Sequence, residues 1–246
     1  MDIDLSRLFH QSSKNHLKGH PPIHKDSTQW PVEWKTIYYK SYPRLPKIPL
    51  SKKSGSADLF QCISQRRSKS VFSPEPISLD ELGVLLQYSY GITSTSEQKK
   101  IPARAYPSGG GRFPLEVYPL VLKSAPGIPR GLYHYNVKTH ELDVLLSDAP
   151  DSNELGSMFV YDWVPSAAIV FLMTAIFLRT QVKYGERGYR YILLEAGHAA
   201  QNVCLVAEAL QLHCNALGGT VDRKLEELLD IDGRTESLLY ALALGK

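Results

Sequence analysis

Residues 183–212 read KYGERGYRYILLEAGHAAQNVCLVAEALQL, and how this stretch is built decides the fold. It opens on a dense polar and ionisable cluster of Lys183, Tyr184, Glu186, Arg187, Tyr189, Arg190 and Tyr191. From Tyr189 on there is neither Pro nor a β-branched cluster, and Ala, Leu, Glu and Gln dominate, which favours helix over strand. On a 3.6-residue period Glu195, His198 and Asn202 share one narrow stripe, and Gln201 with Glu208 make a second. The rest of the circumference is apolar, so the helix is expected to be buried, in the domain centre or against a partner subunit. Small residues at Ala196, Gly197, Ala199 and Ala200 let another backbone come close. The stretch therefore predicts a central helix with a reactive entrance at its N-terminal end.

The 246 residues suit one large domain, or one domain with an arm, and suffice for a proper core. An apolar share of 43% and a charged share of 22% place the chain among ordinary soluble globular proteins. The net charge of +3 is too small, and the basic residues too dispersed, to predict nucleic-acid binding. Cys62, Cys204 and Cys214 are odd in number and lack CxxC spacing, so they read as reduced thiols of a cytoplasmic protein. No N-terminal apolar segment reads as a secretion signal, and the longest apolar run, residues 167–178, is too short to span a bilayer.

Residues 1–55 read as an arm rich in Pro, His, Lys and Ser, whose aromatics (Phe9, Trp30, Trp34, Tyr38, Tyr39, Tyr42) predict packing over a folded body, residues 56–246. His16, His20 and His24 recur every four residues, but Pro21 and Pro22 interrupt any helix there. No Cys or carboxylate completes a metal site, so they read as solvated. Residues 57–65 predict a short helix, and Ser78 with Glu81 forms a capping box opening a helix that Gly91 closes. A polar loop reaches Arg104. Residues 115–123 read as a strand that Pro119 assigns to an edge or a bulge, and residues 131–135 and 141–146 as a hairpin. A short helix is expected within 151–161, a buried strand over 167–174 and a lead-in to the central helix over 178–184. Residues 215–220 then read as a turn, Asp222 as the cap of a short helix, and 236–244 as a final strand. Strands and helices mix without regular βαβ alternation, so the class is α+β.

Arg66, Arg67, Ser68 and Lys69 gather guanidinium forks, a hydroxyl and an amine, which can hold a phosphate or can form a solvated basic turn. Pro107-Ser108-Gly109-Gly110-Gly111 allows close approach to a flat or charged ligand, or is a plain flexible loop; it has neither Walker nor GxGxxG spacing. Leu217-Gly218-Gly219 shares that ambiguity. Lys183-Tyr184, beside Glu186 and Arg187, is a candidate acid–base pair or a tyrosine-rich packing corner. Both groups titrate near pH 10 in water, so one must shift downward to act as a base near neutrality. The lone His198 reads as a core residue, not a ligand.

Taken in order, RRSKS (66–70), SLDEL (78–82), AYPSGGGRFPLEVY (105–118), GLYHY (131–135), KYGERGYRYILLEAGHAAQN (183–202), LGG (217–219) and ESLLYALALG (236–245) resemble SagB-type dehydrogenases. These are azoline dehydrogenases within the FMN-dependent nitroreductase family; the resemblance covers residues 57–246. It implies a nitroreductase-like fold with an antiparallel-dominated central sheet flanked by helices, and a homodimer with FMN at the subunit interface. It further implies that Arg66, Arg67 and Ser68 hold the FMN phosphate and ribityl chain. Pro107, Ser108, Gly109 and Gly110 would line the isoalloxazine from the partner subunit. Leu217, Gly218 and Gly219 would set backbone amides near the flavin's reactive nitrogen. Lys183 and Tyr184 match the family's catalytic Lys-Tyr pair, which assists oxidation of a thiazoline or oxazoline to the aromatic ring, with O₂ as final acceptor. The family often carries Arg or Lys where this chain has Ser70; Lys69 and Lys246 are the replacements to examine.

Two other functions fit the same residues: an NAD(P)H-dependent nitro- or quinone reductase of the same fold, and a flavin-free scaffold subunit binding a peptide or a cyclase partner. Under the first reading the substrate is an azoline-containing peptide or a carrier-bound intermediate, and a separate cyclodehydratase makes the ring.

Overall fold

Residues 169–176, IVFLMTAI, are apolar without alternation, and such a strand is stable only where both faces of its sheet are covered. The computed structural model, which describes residues 5–14, 26–94 and 102–246, has that architecture. An N-terminal segment carries helices α1 (Leu5–Ser12) and α2 (Val32–Lys35) and strand β1 (Lys47–Pro49). Helices α3 (Leu59–Gln65) and α4 (Leu79–Tyr90) follow, then β2 (Ile92–Ser94) and β3 (Ala103–Arg104). Next come β4 (Leu115–Val121), β5 (Gly131–Asn136), β6 (Glu141–Leu146), α5 (Ser152–Gly156) and β7 (Ile169–Ile176). The chain ends with α6 (Leu178–Tyr184), α7 (Arg187–Ala209), β8 (His213–Leu217), α8 (Asp222–Leu229) and β9 (Glu236–Gly245). His16, His20 and His24 lie outside the described residues.

Seven strands form one antiparallel sheet in the order β1-β6-β5-β4-β7-β9-β8. Because side chains alternate across a strand, Phe171 and Met173 meet Leu85 and Leu86 of α4 and Ala196, Ala199 and Val203 of α7 on one face. Val170 and Leu172 meet Leu155 of α5 and Leu225 and Leu229 of α8 on the other. The expected α+β class and helix-flanked antiparallel sheet are what the chain forms.

Four local expectations change. Pro119 lies in the central strand β4, not at an edge. It takes a full place opposite Phe171 of β7, while pairing with β5 begins only at Leu120, so the missing N–H faces the side where the ladder has stopped. The polar loop before Arg104 carries the small β2–β3 pair. Residues 213–217 are edge strand β8, and the expected turn starts only at Gly218. The central helix is broken at its start: Gly185 (φ 52°, ψ −141°) separates α6 from α7. Across that corner a Cβ on Gly188 would come within 3.1 Å of the Gln181 Cα, so the two helices cross at contact. The capping box forms in full: the Ser78 hydroxyl accepts the Glu81 N–H, and the Glu81 carboxylate accepts the Ser78 N–H.

The N-terminal segment is tied down in three places. Arg187 donates to the Ser13 carbonyl at 2.7 Å and Arg190 to the His10 carbonyl at 3.0 Å, with Phe9 edge-on to Tyr189. Trp34 Nε1 donates to the Val182 carbonyl at 3.1 Å. Arg112, 1% exposed, donates to the carbonyls of Trp34, Glu33 and Arg179 at 2.7–2.8 Å. One guanidinium thus joins the glycine-rich loop, the N-terminal segment and α6.

Buried charge fixes the middle of the sheet. His134 on β5 lies 2.9 Å from both Glu116 on β4 and Asp143 on β6; Arg179 completes the Glu116 side and Lys47 the Asp143 side. Burial opposes the imidazolium, but the hydrogen bonds to Asp143 and Glu116 outweigh it and raise the His134 pKa above 6.5. Burial likewise opposes the Glu116 carboxylate, yet His134 and Arg179 bring it down to about 2. Burial also works against Asp143, and His134 and Lys47 reverse it.

The signs set a pH window. The raised His134 pKa contributes stability in full below 6.5, lost as pH rises through the folded-state value. The lowered Glu116 and Asp143 values contribute above their ordinary 4.5 and 3.8, lost as pH falls through the folded-state values. Thermal unfolding followed by circular dichroism across pH should therefore show greatest stability between roughly pH 5 and 6.5. His134→Gln should lower stability by about 3 kcal/mol in that window and flatten the alkaline decline; an unchanged pH profile would refute the charged-network reading. Arg112→Met leaves the buried Arg179 carbonyl without its donor, at about 1–3 kcal/mol, and frees the part-buried carbonyls of Glu33 and Trp34. Limited proteolysis should then cut near residues 26–36 in that variant while the sheet stays intact.

Candidate active site

The break at Gly185 turns the last residues of α6 toward the start of α7, and the glycine-rich loop folds onto them. Gly110 has φ +66°, and a Cβ there would stand 2.3 Å from the Tyr184 hydroxyl and 3.3 Å from the Lys183 amine. Only glycine both adopts this conformation and leaves that space. The neighbouring Gly109 rests on Tyr191, whose ring meets Tyr184 edge-to-face at 5.0 Å. From above, the Trp30 ring sits 3.8 Å from the Lys183 Nζ, with Trp34 at 5.7 Å. Lys183, Tyr184 and Gly110 are thus brought together within one chain, under an aromatic cover.

The electrostatics of this cluster are one-sided. Burial, then the charge of Arg112, pushes the Lys183 amine below its ordinary value. Burial, then Tyr191, pushes Tyr184 upward, with Arg112 pulling part of the way back. Of the two, Lys183 is the group shifted toward acting as a base near neutrality. Beneath the loop, Glu195 is 2% exposed, and its carboxyl oxygens have no hydrogen-bond partner. The Ser108 hydroxyl and the Gly109 N–H lie close but only partly offset burial, which raises Glu195 to about 8. It is a neutral acid at physiological pH.

Arg66, Arg67 and Ser68 follow α3 and lie along the outer edge of β8: Ser68 bridges Cys214, and the Lys69 N–H donates to the Cys214 carbonyl at 3.1 Å. Arg67 and Ser68 are exposed. At the far end of the same strand, Leu217 is buried and Gly218 is exposed, with nothing within 4 Å of where a Cβ would be. Gly219 packs on Tyr161, and its carbonyl accepts the Val160 N–H at 2.9 Å. A cationic, hydroxyl-bearing segment and an open glycine turn along one edge of the sheet suit a phosphate and a flat ring. Lys246, the other candidate replacement for Ser70, lies 3.5 Å from Glu81 at the start of α4.

These groups do not converge on one point in a single chain. Gln65 and Lys69 share a groove of about 310 Å³ with Glu208 and Ala209, at the C-terminal end of α7. Gly109 lies on Tyr191, at its N-terminal end. Between Tyr191 and Glu208 run roughly 25 Å of helix. Along that helix Leu193 and Leu194 remain 41% and 56% exposed, and His198, expected in the core, faces outward. Sequence reasoning missed Arg112, Glu195 and Trp30 as neighbours of the Lys-Tyr pair. For Glu195 a signal existed, since its stripe with His198 and Asn202 was visible, but the stripe does not say which member turns inward. Among the described residues no three His, Cys, Asp or Glu side chains form a metal-binding group, and no helix is long and apolar enough to cross a membrane.

The nitroreductase family's sequence profile matches residues 63–246. MJ1384 of Methanocaldococcus jannaschii, a nitroreductase by name, is 34% identical over 174 residues, 70% of this chain and 84% of its own. The trifolitoxin-processing protein TfxB of Rhizobium leguminosarum bv. trifolii is 30% identical over 180 residues, 70% of this chain and 48% of its own. The microcin B17-processing protein McbC of Escherichia coli is 30% identical over 155 residues, 58% of this chain and 54% of its own. The chain thus spans about half the length of these two processing proteins. The fold is shared with a chain of the E. coli microcin synthetase McbBCD complex with truncated pro-MccB17 bound, at a TM-score of 0.61 and 18% identity, covering 98% of this chain and 91% of that one. With the profile matched across strands β4 to β9 and both helices that carry the candidate site, the chain belongs to the nitroreductase family.

Proposed function

We propose that this protein is an FMN-dependent azoline dehydrogenase acting in the maturation of a peptide natural product. The observation that carries the reading is the meeting of the Lys183 amine, the Tyr184 hydroxyl and Gly110 beneath Trp30. This is a base of lowered pKa and a phenol of raised pKa around a space that only glycine keeps open. Relatives named for processing trifolitoxin and microcin B17 support the substrate class. The partners we infer are an azoline-bearing peptide or carrier-bound intermediate and a separate cyclodehydratase.

The cofactor reading rests on Arg66, Arg67 and Ser68 as the phosphate-holding group, Leu217–Gly219 as the backbone facing the ring, and Pro107–Gly110 as its opposite wall. We infer a homodimer: residues 66–68 and the glycine loop stand at opposite ends of α7, and a two-fold partner running antiparallel along the exposed Leu193–Leu194 face would bring one end to the other. FMN, when bound, supplies the acceptor for two electrons and a proton. Lys183 takes the proton from the azoline ring carbon. Burial and then the charge of Arg112, whose acceptors among the described residues are all main-chain carbonyls, lower the pKa of its amine toward that role. Tyr184, kept as a phenol, orients the ring heteroatom by donating a hydrogen bond. Trp30 and Trp34 exclude water and present flat faces to a ring that becomes planar.

A second reading, an NAD(P)H-dependent nitroreductase, is favoured by the 34% identity to MJ1384. Purified protein should carry stoichiometric FMN by visible absorbance and mass, and should oxidise azoline-containing peptides with O₂ as acceptor; oxidation of NAD(P)H without azoline turnover would select the second reading. Lys183→Met and Tyr184→Phe should keep FMN yet lose turnover by about 10²–10⁴-fold. In the wild type, activity should rise with pH through an amine pKa below 10.5, and that limb should vanish in Lys183→Met. Gly110→Ala should be as inactive as either, because its methyl group takes the position of the Tyr184 hydroxyl.

A further inference from the structure

Cys204 of α7 and Cys214 of β8 bring their sulfurs to 3.8 Å. The helix–strand corner holds them there: the Leu212 N–H donates to the Ala207 carbonyl at 2.8 Å and the Leu210 N–H to the Val206 carbonyl at 3.0 Å. Two adjacent thiols can be simple core filler, but three observations set this pair apart. Cys204 is only partly buried while Cys214 is buried. Arg66 acts on both thiols with positive charge. The hydrogen bond from Cys214, then Arg66, pulls the Cys204 thiol down against burial, while the same bond and burial push Cys214 up. The two sulfurs share one hydrogen bond and titrate as a pair.

We propose that Cys204 and Cys214 are a redox-active dithiol that hydrogen peroxide converts to an intramolecular disulfide. The Cys204 thiolate attacks a peroxide oxygen, the O–O bond breaks, and hydroxide leaves, giving a sulfenic acid on Cys204. Cys214 sulfur attacks that sulfur and displaces the oxygen as water, and the Cys214 proton with the one Cys204 had released completes two waters for each peroxide. Both thiols are oxidised by the two electrons that peroxide accepts. The third cysteine, Cys62 on α3, is not part of the pair.

Closure has a structural consequence. A disulfide requires the sulfurs to approach by about 2 Å more, and Cys214 is the residue to which Ser68 and Lys69 are bonded through the main chain. Oxidation therefore pulls on residues 66–69. That consequence rests on the flavin reading above; the disulfide itself does not.

The test treats the full-length protein, as isolated, with hydrogen peroxide and then with dithiothreitol. Titratable thiols should fall from three to one, the intact mass should drop by two hydrogens, and peptide mapping should return a Cys204–Cys214 cross-link that dithiothreitol reverses. Cys62→Ser should form the same cross-link, its titratable thiols falling from two to none, and Cys204→Ser should leave Cys214 titratable under the same treatment. Oxygen added to Cys204 or Cys214 without a cross-link, or a cross-link through Cys62, overturns the proposal; the wild-type map decides even where a variant folds poorly. Flavin content measured on the same samples separates the two layers. Easier FMN release from the cross-linked form supports the link to residues 66–69, and unchanged release in a verified cross-linked form overturns that link alone.

Discussion

A 23-residue helix laid against a seven-stranded sheet is the constraint on which the other parts depend. Alanines at 196, 199, 200 and 207 and Val203 form the buried face of α7, and the small side chains let the helix axis approach the sheet closely. Glu195 is the exception on that face. Because the helix is long and its contact with the sheet continuous, whatever stands at its two ends is held at a fixed separation. At one end are Lys183, Tyr184 and the glycine-rich loop; at the other are α3 and residues 66–69. The exposed Leu193 and Leu194 lie on the opposite face, where no part of the chain covers them fully. Separation of the half-sites and an open apolar face are two consequences of one packing arrangement, which is why the dimer is inferred from both together.

The second constraint is where the chain spends its charge. Glu116, Asp143 and Glu236 are all engaged with cations inside or beside the sheet: Arg179 and His134, Lys47, and Lys40. These pairs consume the carboxylates that could otherwise neutralise the site. Among the described residues Arg112 is hydrogen-bonded by main-chain carbonyls alone, and its positive charge acts on Lys183 and Tyr184. Surface pairs such as Arg223–Glu227 contribute little by comparison, since solvent screens them.

Legibility in the sequence followed how local each determinant is. The capping box at Ser78, the hairpin of residues 131–146 and the final strand at 236–245 depend on neighbours within a few positions, and each formed as expected. The central helix was legible from composition, but its break was not, because Gly185 inside a helical run signals a stop only when tertiary contacts favour one. Pro119 misled for the opposite reason. Proline excludes a strand position only if both sides of that position need a donor, and β4 pairs with β5 only from Leu120 on, after Pro119. Strand β8 was read as turn because Asn215 and the glycines after it carry turn composition; its pairing with β9 overrides that preference. Of the candidate site, the residue types at 183, 184 and 110 were visible, but not that Trp30, more than 150 positions away, would cover them. Contacts at such separation depend on the whole topology and leave no periodic trace.

That cover changes what the site can select. An exposed lysine–tyrosine pair would be solvated, and its amine would stay charged at neutral pH. With indoles on one side, Gly110 below and Arg112 behind, the amine loses water and gains a like charge, and both effects favour the neutral form. Beneath the loop, burial raises the Glu195 carboxyl to about 8. Above that pH the same group becomes an anion with no hydrogen-bonded cation. The rings that stand over the Lys183 amine, Trp30 and Trp34, come from the N-terminal segment.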